Sequence, residues 1–244
     1  MLLTSQVWNS CADITITAFD WVPDFARGQV RDLRVRWALE ETGQAYAVRY
    51  LSQGQQKEAA HRALQPFGQV PTYEEGDLTL FESGTIVWHI AERFPGLVPE
   101  GSRGRAEALE WLFAALNTME PPIMDRAQMT IFEAMEPWAG PRLPGIDERI
   151  AERLQEASDR LGTATWFGGS FSAGDLMMVS VLRIIEGAGL IEAFPNLADY
   201  IARATERPAF RQAITDHLAG FTGHPPPGFD EWMAELRTKQ GEFT

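Results

Sequence analysis

Two spacings of apolar residues divide this chain. Over about the first hundred positions, short β-type runs are interleaved with helical ones; beyond them only the helical period remains. Ile14-Thr15-Ile16-Thr17-Ala18-Phe19 alternates and is β-branched, which predicts a strand. A loop follows from Asp20 to Gln29. Val30, Leu33, Trp37 and Ala38 then recur at helical spacing, predicting a helix that ends near Glu41 with Gly43 as its cap. Ala45 to Leu51 predicts a second strand, and the strand-helix-strand unit should cross over right-handed. The polar run from Ser52 to Leu64 predicts a loop with one helical turn.

The next stretch carries the densest local pattern. Gln65-Pro66-Phe67-Gly68-Gln69-Val70-Pro71 leads into two short β-type runs, Thr72 onward and up to Phe81, joined by the turn Glu75-Gly76-Asp77. Glu82-Ser83 then opens a helix with Ile86, Val87, Ile90 and Phe94 on one face. A serine at a helix start lies beside free backbone N–H groups and the positive end of the helix dipole, a natural seat for a carboxylate. Val70-Pro71 is a candidate cis peptide, because a proline entering a strand is otherwise poorly tolerated. The Val70 N–H and C=O would then be free for a peptide-like ligand.

After Phe94-Pro95-Gly96-Leu97-Val98-Pro99 the β signal stops. Ala106, Leu109, Leu112, Phe113, Leu116 and Met119 predict a long helix that Pro121-Pro122 should break or kink, with Ile123 to Met135 helical again. Glu136 to Gly145 holds three prolines and two glycines and predicts a loop. Ile150, Leu154, Ala157 and Leu161 mark another amphipathic helix. Ser172 and Asp175 have capping-box spacing, with Phe171 and Leu176 placed as a hydrophobic staple. The helix from Leu176 to Ala188 is apolar almost all round and should be the buried centre of a helical domain, which makes Asp175 structural. Leu197, Tyr200, Ile201 and Ala204 form the next helix. Arg207-Pro208 restarts another, and Phe229 to Leu236 predicts a short helix beyond Pro225-Pro226-Pro227.

Composition narrows the function classes. A net charge of -13 argues against nucleic acid and anionic membranes as partners. No apolar run approaches a membrane span, and the N-terminus lacks the basic region and long apolar core of a secretory signal. The single cysteine, Cys11, excludes an internal disulfide and fits the cytoplasm. His61, His89, His217 and His224 lie at no metal-ligand spacing, so no metal is expected.

The Val70-Pro71 and Glu82-Ser83 pairs, at their spacing around the hairpin, resemble the glutathione S-transferase superfamily. The resemblance also rests on Val35 to Glu41, on the capping box and staple, and on Arg207-Pro208-Ala209-Phe210; it spans roughly Ile14 to Leu218. It implies a thioredoxin-like α/β domain of order βαβαββα over residues 13–97, an all-helical domain over 103–220 and a C-terminal extension over 221–244. It implies glutathione as co-substrate, held by Gln69, Val70, Pro71, Glu82 and Ser83, and a homodimer. The implied reaction is attack of the glutathione thiolate on an apolar electrophile. Glutathione-dependent peroxidase or disulfide reductase activity, or a non-catalytic binding module, are the alternatives.

In that family a Tyr, Ser or Cys follows the first strand, and Tyr or Ser there favours the glutathione thiolate, the nucleophilic form. From Asp20 to Glu41 this chain has no Tyr, Ser, Thr, Cys, His or Asn. It has instead Arg27, Arg31, Arg34 and Arg36. A nearby guanidinium can lower a thiol pKa by roughly 1 to 3. Arg27, or a backbone N–H near Gly28-Gln29, is the candidate replacement. Arg31, Arg34 and Arg36 are expected to pair with acidic neighbours such as Asp32 and Glu40 on a solvated face. Cys11 precedes the first strand and should lie at the opposite end from the site. Trp21, Phe25 and Met119 are the candidates for an apolar acceptor pocket, with Trp111, Phe132, Met135 and Trp138 as further wall residues.

Overall fold

The computed structural model describes residues 14–241, with side chains through Glu235; Cys11 and the extension before the first strand lie outside the described residues. Strands β1 (Ile14–Phe19) and β2 (Tyr46–Leu51) flank helix α1 (Asp32–Glu41) and pair in parallel, Ile14 opposite Tyr46 through Phe19 opposite Leu51. A short helix α2 (Ala59–Arg62) leads to the hairpin of β3 (Thr72–Glu75) and β4 (Leu78–Phe81). β3 runs antiparallel to β1, so the sheet order is β2-β1-β3-β4. Gly76 takes φ +61° in the hairpin turn, where a side chain would be strained. The entry to β3 is pinned by a side chain: the Thr72 N–H donates to Thr17 Oγ1 at 2.7 Å. The Val70-Pro71 peptide just before it is cis.

Helix α3 (Ser83–Arg93) buries Ile86, Val87 and Ile90. The helical part follows as α4 (Gly101–Ala114), α5 (Glu120–Ala127), α6 (Ala139–Leu161), α7 (Ala173–Leu182), α8 (Pro195–Thr205), α9 (Pro208–Ala219) and α10 (Phe229–Gly241). α1 lies between the sheet side and the helices, and Trp37 is fully buried against the rings of Phe171 and Phe210. That packing joins the two parts through one apolar core.

Two proline effects differ from the expectation. At Pro121-Pro122 the chain stays helical: Ala115–Met119 is a π-helical turn between α4 and α5. Prolines cannot donate to the carbonyls four residues back, and a wider turn just ahead of them absorbs the mismatch. The second difference is a correction. The stretch predicted as a loop, Glu136 to Gly145, is helical from Ala139 on. Pro141 lies in the first turn of α6, whose N–H groups have no intrahelical acceptor, so it costs no hydrogen bond. Pro144 lies inside the helix but is exposed, where water can serve the carbonyl it leaves unpaired.

The predicted capping box is present at α7. Asp175 accepts from the Ser172 N–H at 3.0 Å, the Ser172 hydroxyl at 3.0 Å, the Phe167 N–H at 3.1 Å and the Tyr200 hydroxyl at 3.0 Å. Burial pushes its carboxyl above the ordinary value, and these donors act against that rise.

Candidate active site

A cleft of about 500 Å³ opens at the C-terminal end of β1, between the sheet side and α5. One wall is polar and comes from the loops after β2 and before β3, with Gln53, Lys57, Gln69 and Val70. The facing wall is apolar, with Phe25, Ile123, Ile131, Phe132 and Ile184. Ile131 and Phe132 belong to a second π-helical turn, Gln128–Phe132, which ends the α5 segment at the cleft. His61, buried on α2, donates from Nε2 to the Gln69 carbonyl at 2.6 Å and so holds the Gln69-Val70 edge. Neither the N–H nor the C=O of Val70 has a hydrogen-bond partner among the described residues.

At the start of α3 the cleft meets a buried ionic corner. Arg34 Nη1 donates to Ser83 Oγ at 3.3 Å, and Arg34 Nη2 to Glu120 Oε1 at 3.0 Å. Arg31 Nη2 reaches the same Glu120 oxygen at 3.0 Å. Because Ser83 Oγ accepts from arginine, its own proton is available to a ligand carboxylate. Glu82, just before it, has φ +68°. A non-glycine residue there costs on the order of 1–3 kcal/mol, which the surrounding contacts offset while the chain turns sharply into α3.

Burial would raise the Glu120 carboxyl, but Arg34 and Arg31 outweigh it and hold it below the ordinary carboxylate value. Burial in turn pushes the Arg34 guanidinium below its ordinary value, with Glu120 opposing. A carboxyl lowered on folding stabilises the fold at pH above its ordinary value, and that contribution is lost as pH falls through the lowered one. Unfolding of the wild type below about pH 4.5 should therefore steepen with acid more than that of Glu120→Gln. Equal acid dependence in denaturant titrations of the two proteins would count against the corner.

The predicted site residues divide as follows. Gln69, Val70 and Phe25 line the cleft; Pro71 and Glu82 flank it in sequence; Ser83 joins it through Arg34. Trp21 and Met119 are both buried, and neither is among the residues lining this cleft. Trp21 packs edge-on against Phe229 of α10, and Met119 faces the core from its π turn. Of the further wall residues, Phe132 lines the cleft, whereas Trp111 stacks on Phe167 at 4.0 Å.

The solvated-face reading of the arginines is also corrected. Arg34 and Arg36 are buried, the first on Glu120 and the second on Asp32 at 2.8 Å. Arg27 is half-exposed, 3.3 Å from Asp24 and over the Phe221 ring, and is not among the residues lining the cleft. The Gly28 and Gln29 N–H groups are taken by His217 and the Ala26 carbonyl. The next two, on Val30 and Arg31, have no protein acceptor among the described residues, and both residues line the cleft at the start of α1. Arg27→Ala should accordingly keep wild-type turnover and the wild-type pH profile. A fall of about tenfold or more in turnover would return the thiol to this side chain.

Sequence reasoning missed Glu120, Lys57 and Gln53 as site residues. Glu120 lies 86 positions from Arg34, and nothing local marks it as a partner.

A thioredoxin-like sheet, a strand entry with an open Val70 backbone, a serine at the next helix start and an apolar wall from the helical part meet around one cleft. Residues 25–92 match the family description "Glutathione S-transferase, N-terminal domain". Glutathione S-transferase 4 of Zea mays is 30% identical over 189 residues, covering 72% of this chain and 83% of that protein. The chain belongs to the glutathione S-transferase family. Its fold is shared with a glutathione transferase family member from Pseudomonas fluorescens, solved with two glutathione bound, at TM-score 0.74 and 21% identity over 85% of this chain and 95% of that one. It is shared equally with a glutathione transferase from Pseudomonas putida, solved with one glutathione disulfide per subunit, at TM-score 0.73 and 19% identity over 85% and 94%.

Proposed function

We propose that this protein binds glutathione in the cleft and transfers its thiolate to an electrophilic, apolar small molecule. The carrying observation is that the Val70 backbone and the Ser83–Arg34–Glu120 corner border one cleft whose other wall is apolar. In this reading the γ-glutamyl carboxylate takes the Ser83 proton beside the α3 N-terminus, with Glu82 at the same turn. The cysteinyl amide pairs with Val70, between Gln69 and Pro71. Lys57, on the polar wall, attracts the glycyl carboxylate.

The sulfur then lies toward the start of α1, where the Val30 and Arg31 N–H groups and the helix dipole favour the thiolate. The protein supplies position and charge stabilisation, and the electrophile docks on Phe25, Phe132 and their neighbours. The step as proposed calls on no metal.

Assembly and compartment belong to the same reading. Phe67 and Phe113 are more than half exposed, one on the sheet side and one on α4, and suit a homodimer that would cover them. The cytoplasm fits the single cysteine. No helix among the described residues is long and apolar enough to cross a membrane.

A second reading is reduction of peroxides or disulfides by bound glutathione. It is favoured by the glutathione disulfide in the Pseudomonas putida protein and the two glutathione molecules in the Pseudomonas fluorescens one. Parallel assays with an aryl halide, an organic hydroperoxide and a low-molecular-weight disulfide separate the two. Turnover of the aryl halide supports transfer; turnover of the others alone moves the reading to reduction. Absence of glutathione binding by the folded protein leaves a binding module.

A further inference from the structure

The loop that would face the sulfur is fastened to the helical domain by a buried chain of polar contacts that the reaction as described does not use. His217, on α9, is 1% exposed, and Asp32, at the start of α1, is likewise buried. The Gly28 N–H donates to His217 Nε2 at 3.2 Å. An N–H cannot accept, so Nε2 carries the lone pair and the ring proton sits on Nδ1. That proton is directed to Asp32 Oδ2 at 3.1 Å, an oxygen that also accepts from Arg36 Nε at 2.8 Å. On the other side of the same peptide stretch, Arg183 Nη1 donates to the Gly28 carbonyl at 3.2 Å, and Gln29 Nε2 donates to the Arg183 carbonyl at 3.0 Å.

Both backbone polar groups of Gly28 are therefore held by side chains of the helical domain. Gly28 takes φ +79°, and a Cβ there would lie 3.3 Å from Ile214 Cδ1, so this position favours glycine twice over. Two and three residues further on are the Val30 and Arg31 N–H groups, which lack a protein acceptor among the described residues.

We propose that His217 is a positioning residue for the glutathione thiol. By accepting the Gly28 N–H while bonded to Asp32, it sets the backbone ahead of α1 so that the Val30 and Arg31 N–H groups point at the sulfur. The inference rests on the glutathione reading above. His217 does not line the cleft and does not touch the reacting atoms. It also explains how a loop without Tyr, Ser or Cys can favour a thiolate: the donors are backbone groups, and a buried imidazole in another domain fixes their direction. Preorganised donors cost no reorganisation when charge develops on sulfur.

The test is a pH titration of thiolate ultraviolet absorbance for glutathione bound to the full chain, with binding measured calorimetrically on the same samples. For His217→Phe, which keeps the ring packed on Phe221 but removes the acceptor, the bound thiol pKa should rise by about 1, toward that of the free thiol, while glutathione affinity changes less than about threefold. Turnover of an aryl halide at saturating glutathione should fall about 10- to 100-fold. His217→Gln, whose amide can accept from Gly28 and donate to Asp32, should restore most of the shift.

A folded His217→Phe with a wild-type thiol pKa overturns the inference and leaves the glutathione reading standing. Wild-type protein that binds no glutathione overturns both. If His217→Phe does not fold, Arg183→Met releases the same peptide stretch from its carbonyl side, and an unchanged thiol pKa there also overturns the inference.

Discussion

Ser83→Ala is expected to weaken glutathione binding by about 10- to 100-fold in calorimetric titration at neutral pH. A hydrogen bond to a charged group is worth roughly 1.5–3 kcal/mol when partly buried, and about 1.4 kcal/mol is tenfold in affinity. The Ser83 hydroxyl is buried, and its only protein partner among the described residues is Arg34. Removing it leaves Arg34 paired to Glu120, so the fold should hold and the loss should fall on the ligand. Thermal unfolding of the apo variant should stay within a few degrees of wild type. A folded Ser83→Ala with unchanged affinity would move the γ-glutamyl seat elsewhere in the cleft.

The second large effect is on stability and should leave the cleft chemistry alone. Asp175→Ala is expected to cost on the order of 2–6 kcal/mol, because the Phe167 and Ser172 N–H groups lose their acceptor inside the core and the Tyr200 hydroxyl keeps only the backbone carbonyl of residue 175, at 3.4 Å. Stranding each buried donor costs roughly 1–3 kcal/mol, and a domain has only about 5–15 kcal/mol to lose. Asp175→Asn keeps one acceptor oxygen and should lose less. Denaturant midpoints at constant slope measure both. A midpoint for Asp175→Ala close to that of wild type would mean that water reaches these donors.

The strands, the parallel β1–β2 pairing and the hairpin were legible because each rests on contiguous residues. Alternation in Ile14–Phe19, the Glu75-Gly76-Asp77 turn and the Ser172/Asp175 spacing are local signals, read through the period of the chain and the geometry of a single helix turn. The proline-rich stretch was misread for the same reason. Pro141 and Pro144 look like helix breakers until their position is known, and a first turn or a solvent-facing side tolerates them.

Within the site, legibility followed sequence distance. Gln69, Val70, Pro71, Glu82 and Ser83 lie on one short segment, and the hairpin between them is specified by that segment. The residues around them come from far away. Arg34 meets Glu120, and Gly28 and Asp32 both meet His217. A basic run beside acidic neighbours reads as a solvated face, and nothing in it says that Arg34 and Arg36 will be buried. Trp21 and Met119 were candidates for the pocket by their place in the loop after the first strand and on the first long helix of the helical half, yet apolar side chains there satisfy a core as readily as a cleft.

By itself, then, the order of residues determined the α/β half, the helical half and the hairpin segment that runs from Val70 to Ser83. Short-range periodicity and capping act through neighbours in the chain. Tertiary structure alone decided which charges are buried together, which aromatic groups face the cleft and which backbone N–H groups remain open beside it. Those depend on how helices of the second half pack across α1. Burial there makes pairing obligatory: a guanidinium removed from water must meet a carboxylate, and which one it meets is settled by the packing of distant helices.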